Sequence, residues 1–227
     1  MHESVMLKEA IKALNIKSSG IYIDGTLGRA GHAQEIDKRL DTGTLICFDK
    51  DLDAIEASKK LLSERSIIVH DSFANIEKVL DRQGIDTVDG FLFDLGVSSP
   101  QFDDEDRGFS YRFDSRLDMR MDQTQALSAY EVVNEYPEER LIEMLKVYSD
   151  ERYAKGIVKH IIENRPVETT FELVECIKKA YPYRELKKGH PAKKTFQAIR
   201  MEVNNDLGDI EKALKAAIKR VKVGGRV

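Results

Sequence analysis

The residues best placed to do chemistry form one string, Asp24-Gly25-Thr26-Leu27-Gly28-Arg29-Ala30-Gly31-His32. It follows the short apolar run Ile21-Tyr22-Ile23 and precedes a helical segment. Glycines at 25, 28 and 31 permit positive φ and let backbone approach a ligand closely. The first turn of the helix behind them offers free N–H groups. Such turns serve many nucleotide-binding folds, so the string alone specifies no ligand. Asp49 ends a second apolar run, 21 residues beyond Gly28. A carboxylate at that place can accept both ribose hydroxyls of an adenosine. The combination fits two cofactor classes, nicotinamide dinucleotides and S-adenosylmethionine.

Two further strand ends carry polar or aromatic groups. His70-Asp71-Ser72-Phe73 follows a third apolar run, where an adenine could stack on Phe73. Asp94-Leu95-Gly96-Val97-Ser98-Ser99-Pro100-Gln101 follows a fourth. Ligands of open α/β sheets bind outside the carboxyl ends of the strands, so this polar turn is placed for chemistry. Residues 101–122 then mix seven acids and four arginines with Phe102, Phe109, Tyr111 and Phe113, without a period. A long irregular loop of this kind is often functional. Its aromatics could stack a flipped-out base or pack the loop onto its neighbours. From Lys178 to Lys194 there are seven Lys/Arg against the single acid Glu185. The run suits either a solvated surface or a phosphate-binding patch, with Lys187, Lys188, Lys193 and Lys194 as the candidate contacts.

The elements that must hold these groups follow from periodicity. Residues 5–14, 33–40, 52–62 and 76–80 have helical spacing, and 21–23, 44–48, 66–69 and 88–93 read as strands. Strand–helix alternation of this length implies a parallel, doubly wound sheet. Beyond residue 122 the pattern is helical. Ser128-x-x-Glu131 and Thr169-x-x-Glu172 are capping boxes. Helices are expected over 138–148 and around Tyr153, Ile157 and Ile161. Phe196, Ile199, Val203 and Leu207 give one late stripe. Ile210, Leu214, Ile218 and Val221 give another, with Asp209 as its N-cap and Gly224-Gly225 as its stop. The expected domains are an α/β core over 1–116 and 191–227 and an all-helical insertion over 117–190 for substrate recognition. The chain stops as a strand would begin at Arg226, so the sheet is expected to be short at its C-terminus.

Composition narrows the class. No run approaches the roughly 18 apolar residues of a membrane span. The N-terminus lacks a signal pattern. Cys47 and Cys176 stand far apart, which argues against a zinc site or disulfide framework and fits a cytoplasmic protein. The net charge of −4 does not favour nucleic acid, whereas the local basic run does.

The chain resembles the MraW family of small-subunit ribosomal RNA methyltransferases. The resemblance rests on His2-Glu3-Ser4-Val5-Met6-Leu7, the 24–32 string, Phe93-Asp94-Leu95-Gly96-Val97-Ser98-Ser99-Pro100-Gln101 and Arg107-Gly108-Phe109-Ser110. It extends to His190-Pro191-Ala192-Lys193-Lys194-Thr195-Phe196-Gln197-Ala198-Ile199-Arg200 and Glu202-Val203-Asn204-Asn205. It implies a Rossmann-like class I methyltransferase core with an inserted helical domain. It implies S-adenosyl-L-methionine as cofactor and 16S ribosomal RNA, in the small ribosomal subunit, as partner. The implied reaction is methylation of the exocyclic N4 of one cytidine in the decoding region. The implied cofactor contacts are Ala30, Gly31, His32, Asp49, Phe73, Asp94 and Gln101. Ala30 stands where a glycine is common, a change expected to be tolerated if φ there is negative. The family also continues past Val227. For the reaction itself Asp94, Ser98 and Ser99 are the candidates, and no metal is expected. Two alternatives stay open: an RNA-binding assembly factor without catalysis, and a nicotinamide-dependent dehydrogenase.

Overall fold

The computed structural model describes residues 4–227; His2 and Glu3 lie outside them. The chain divides into two compact units, one up to Ser98 together with Leu207–Val227, the other Ser99–Asp206.

The first unit is built on a parallel five-stranded sheet of order β3-β2-β1-β4-β5. Its strands are β1 (Ile21–Asp24), β2 (Thr44–Asp49), β3 (Ile67–His70), β4 (Val88–Leu92) and β5 (Val221–Arg226). Successive side chains of a strand face opposite ways, and here each way leads into a separate core. Tyr22, Leu45 and Cys47 meet Ile11, Leu14, Ala33, Ile36 and Ile55, from α1 (Leu7–Leu14), α2 (Gly31–Asp37) and α3 (Leu52–Ser58). Ile23, Ile46, Phe48 and Phe91 meet Ile76, Val79, Leu80, Ala213, Ala216 and Ala217, from α4 (Ile76–Arg82) and α12 (Asp206–Arg220). This is the doubly wound Rossmann-like sheet expected from the alternation. The strand order reverses between β1 and β4, and ligands of such sheets bind at that switch point.

Three late expectations change. The stripe from Phe196 to Leu207 is broken at Asn205, whose φ is +52°. Asp209 is no N-cap, because α12 begins at Asp206 and encloses it. The face of α12 turned inward is Asp209, Ala213, Ala216 and Ala217, whereas Leu214 is exposed and Ile218 is 74% exposed. The hydropathy stripe picked the large residues; the helix approaches the sheet closely on its small ones. Val221 and Gly224-Gly225 belong to β5 and do not end a helix.

The second unit is helical. It contains α5 (Ser99–Asp103), α6 (Ala129–Glu135), α7 (Glu138–Ser149), α8 (Ala154–Glu163), α9 (Thr170–Ala180), α10 (Tyr183–Leu186) and α11 (Ala192–Val203). Both capping boxes form, at Ser128 with Glu131 and at Thr169 with Glu172. The unit is longer than the 117–190 expected for the insertion, at both ends. Its first part, the 101–122 segment, opens with α5 and a 3-10 turn at Glu105–Arg107 and is then sewn to the helices. Leu117 N–H donates to Glu168 O at 3.0 Å, Ser115 N–H to Thr170 Oγ1 at 3.0 Å, and Met121 N–H to Asn204 Oδ1 at 2.8 Å. Its last part, α11, packs against α6, α7 and α9. These bonds and contacts, absent from any local pattern, hold residues 99–206 in one compact unit.

Candidate active site

The site is assembled at the carboxyl ends of β1, β2, β3 and β4. Asp24 closes β1 and is 1% exposed. Its Oδ1 accepts from Thr26 N–H at 3.0 Å and from the Thr26 hydroxyl at 3.5 Å. Its Oδ2 is buried and has no hydrogen-bond partner among the described residues. Burial pushes the carboxyl up to about 6, the Thr26 N–H and His32 pull it down, and Asp49 and Asp94 push it further up. Thr26 also ties two turns together, since Asp94 N–H donates to its Oγ1 at 2.7 Å.

The glycine turn is held from the neighbouring strands. Gly25 N–H donates to Leu92 O and Leu27 N–H to Phe48 O, each at 2.9 Å. Asp49, at the end of β2, accepts from Gly28 N–H at 2.8 Å and from Asp51 N–H at 2.9 Å. Burial raises its carboxyl above the usual range. The carboxylate thus shapes the turn, with the Lys50 backbone N–H as a further donor to it. Gly28 has φ +50° and Ala30 φ +61°. The condition set for tolerating alanine at position 30, a negative φ, is therefore not met. A side chain in the left-handed region costs about 1–2 kcal/mol, which explains why glycine suits this place. Ala30 is the residue before α2 and is buried.

His32, on α2, is buried. Its Nε2 lies 3.1 Å from Val5 O, and as that carbonyl can only accept, Nε2 carries a hydrogen. Its Nδ1 lies 3.8 Å from Asp94 Oδ2. Phe73 opens the turn after β3 and meets Phe93 edge-on, with centroids 5.8 Å apart. A Cβ on Gly25 would sit 2.5 Å from the Phe93 ring and 3.3 Å from Phe73 Cβ. Gly25 therefore makes room for the aromatic pair.

The structure brings Ala30, Gly31, His32, Asp49, Phe73 and Asp94 around one turn. Gln101 is buried on α5 of the helical unit. Ser98 ends the first unit and Ser99 opens the second. Asp24 and Thr26 lie in the string read as placed for chemistry but were given no contact of their own, and Phe93 and Asp209 were given no site role. Asp209 accepts from Ser72 Oγ at 2.6 Å and pairs with Lys50 Nζ at 2.5 Å. It thereby clasps the residue after Asp49 and the residue before Phe73. Only the strand-end position of Asp24 signalled its role beforehand.

Among the four lysines, Lys187 Nζ lies over the Tyr183 ring at 4.8 Å, Lys188 pairs with Glu185 at 2.7 Å, and Lys194 donates to Asp150 O at 2.9 Å. Lys193 is exposed and has no such partner among the described residues.

The donor set suits a ligand carrying positive charge and hydroxyl groups. Three carboxylates face the turn and one of them has a buried oxygen unmatched, which a cationic or hydroxyl donor would satisfy. Asp24 and Asp94 beside the turn would repel a pyrophosphate, which counts against the dinucleotide alternative. S-Adenosylmethionine has an ammonium, a sulfonium and a ribose diol, and the residues present fit it.

Several known proteins are similar to this chain. Ribosomal RNA small subunit methyltransferase H of Mesoplasma florum is 52% identical, over 100% of this chain and 75% of that protein. The enzyme of the same name from Exiguobacterium sibiricum is 51% identical over the same shares, 100% and 75%. Among solved structures, an rRNA methylase from Streptococcus thermophilus aligns over 42% of this chain and 57% of that one, at 17% identity and a TM-score of 0.35. The MraW methylase family matches residues 1–227. This chain belongs to the MraW methylase family.

Proposed function

We propose that this protein transfers the methyl group of S-adenosylmethionine to the exocyclic N4 of a cytidine in the decoding region of 16S ribosomal RNA. The observation that carries the cofactor is the carboxylate ring around the glycine turn, with the Asp24 Oδ2 atom unmatched. The RNA substrate is supported by relatives of 52% and 51% identity named for the small-subunit ribosomal RNA. The choice of cytidine N4 rests on the family resemblance of the strings around Asp94 and His190.

When bound, the cofactor supplies a methyl group activated on a sulfonium. Asp49 would hold the ribose hydroxyls and Phe73 an adenine face. The N–H groups of Gly31 and His32 would add contacts from the start of α2, while the Ala30 N–H is spent on Leu27 O at 2.8 Å. The amine of cytosine is a weak nucleophile because its lone pair is delocalised into the ring. Acceptors on its N–H bonds localise that pair, and Asp94, Ser98, Ser99 and the carbonyls of their turn are the candidates. The bound cofactor would supply the methyl group that replaces one N4 hydrogen, and the acceptors of this turn would take the proton released. Alignment of the reacting atoms supplies much of the acceleration.

The test is mass mapping of ribosomal RNA after incubation with the protein and isotope-labelled cofactor. Label on one small-subunit cytidine, at N4, is the expected result. Absence of calorimetric S-adenosylmethionine binding by folded protein would instead leave an assembly factor, and label at another position would refute the assigned atom.

A further inference from the structure

Three rings from separate segments of the helical unit form one stack. Tyr111, from the loop ahead of α6, lies parallel to His190, with centroids 4.0 Å apart and planes 7° from parallel. Phe196, on α11, meets Tyr111 edge-on at 5.6 Å and 88°. Phe196 is buried, Tyr111 half-buried and His190 exposed. The stack thus runs from the core of the unit to its surface. Tyr111 covers one face of the imidazole, and His190 as a residue is exposed.

The ring is held in place and kept neutral. His190 Nδ1 accepts from Ala192 N–H at 3.3 Å, which fixes its orientation and puts the hydrogen on Nε2. Desolvation, with the charge of Lys178, holds its protonation below the usual histidine range. Lys187, Lys188, Lys193 and Lys194 flank His190 within six residues in sequence and are exposed.

An exposed stacked ring within a basic run of the chain suits a polyanion that also has flat faces to offer. Unpaired RNA has both. A duplex keeps its base faces stacked inside, and an acidic protein surface would use the lysines without needing the ring. We infer that His190 is the outer end of a base-stacking platform, backed by Tyr111 and Phe196, which takes an unpaired nucleobase of RNA while the flanking lysines take phosphates. The inference rests on the RNA reading above and adds the contact that selects single-stranded RNA.

The experiment uses the full chain, a fluorescent single-stranded ribonucleotide oligomer and its duplex, with His190→Ala and His190→Phe. His190→Ala should weaken single-strand binding about tenfold and leave duplex binding unchanged, in line with the usual worth of one base–aromatic stack. His190→Phe should keep affinity within about threefold, because a phenyl ring stacks as well. The slope of affinity against salt should match wild type in both, since no phosphate contact is removed. The Phe variant also loses the acceptor for Ala192 N–H. If it fell as far as the Ala variant, His190 would be a loop cap and the platform would be refuted. Unchanged single-strand affinity in His190→Ala would refute it equally. Wild type that bound neither RNA at low salt would overturn the RNA reading itself, and the platform with it.

Discussion

Asp24 shows what the site asks of a single residue. Its carboxyl is buried, half-satisfied and raised from 3.8 to about 6. A raised acid favours the folded state while protonated. The stability it contributes is therefore full below pH 3.8 and is lost as pH rises through about 6. The loss amounts to roughly 3 kcal/mol at neutral pH by linkage. Asp24→Asn keeps an acceptor for Thr26 and removes the charge. Its melting temperature should match wild type near pH 4 and exceed it above pH 6.5; a pH-independent difference would contradict the account. The same carboxylate should favour a cationic ligand once ionised. S-Adenosylmethionine affinity of the wild type should rise between pH 5 and 7 with release of a proton, detectable by calorimetry in buffers of different ionisation enthalpy. Asp49 makes a second case. Asp49→Ala removes the acceptor for Gly28 and Asp51 N–H and the proposed ribose partner. Cofactor binding should weaken by about 2–3 kcal/mol, and equal affinity would place the ribose elsewhere.

At the scale of elements, the strand ends and the existence of the late helices were legible, whereas the inward face and the ends of α12 were not. Four strands alternating with helices announced the sheet, and the acids closing them marked its binding edge. Glycines 25 and 28 were readable as a turn because few other residues permit it. The α12 face failed because hydropathy ranks Leu214 and Ile218 above the alanines that close packing requires. Asp209 failed because a lone acid in a helical pattern reads as a cap, whereas its partners Lys50 and Ser72 are more than a hundred residues away. That clasp gives the third prediction. Asp209→Ala leaves a mostly buried Lys50 ammonium without its carboxylate, a loss of about 3 kcal/mol or more. It also frees the turns carrying Asp49 and Phe73. The urea midpoint should fall, cofactor affinity should weaken, and saturating S-adenosylmethionine should recover part of the stability. A lowered midpoint with unaltered cofactor affinity would show that Asp209 only holds α12 in place.

At the scale of the whole molecule, charge is distributed unevenly. The chain carries −4 overall, yet Lys178–Lys194 has a single acid among seven bases. That contrast was visible in the sequence; the present engagement of each lysine was not, because it depends on Tyr183, Glu185 and Asp150. Lys187, Lys188 and Lys194 must exchange these contacts for phosphates, so each gains only a difference. Such surface pairs are worth about 0–1 kcal/mol, too little to hold the lysines back from a polyanion, yet enough to reduce their share. Lys193 has nothing comparable to give up. Replacing all four by Gln should weaken binding to a 16S-derived RNA and flatten its salt dependence, because each lost phosphate contact removes up to about 0.7–0.9 from the slope of log affinity against log salt. Lys193→Gln alone should account for the largest single share of that change. Cofactor affinity should stay as in wild type, and any methylation that remains should fall on the same cytidine, since phosphate contacts position RNA without reading it. The measurement is RNA affinity across a salt series for wild type, Lys193→Gln and the fourfold variant. Parallel lines of equal height would make the run a solvated surface, and the path of the RNA would then have to be sought along Phe102 and the acidic segment that follows it.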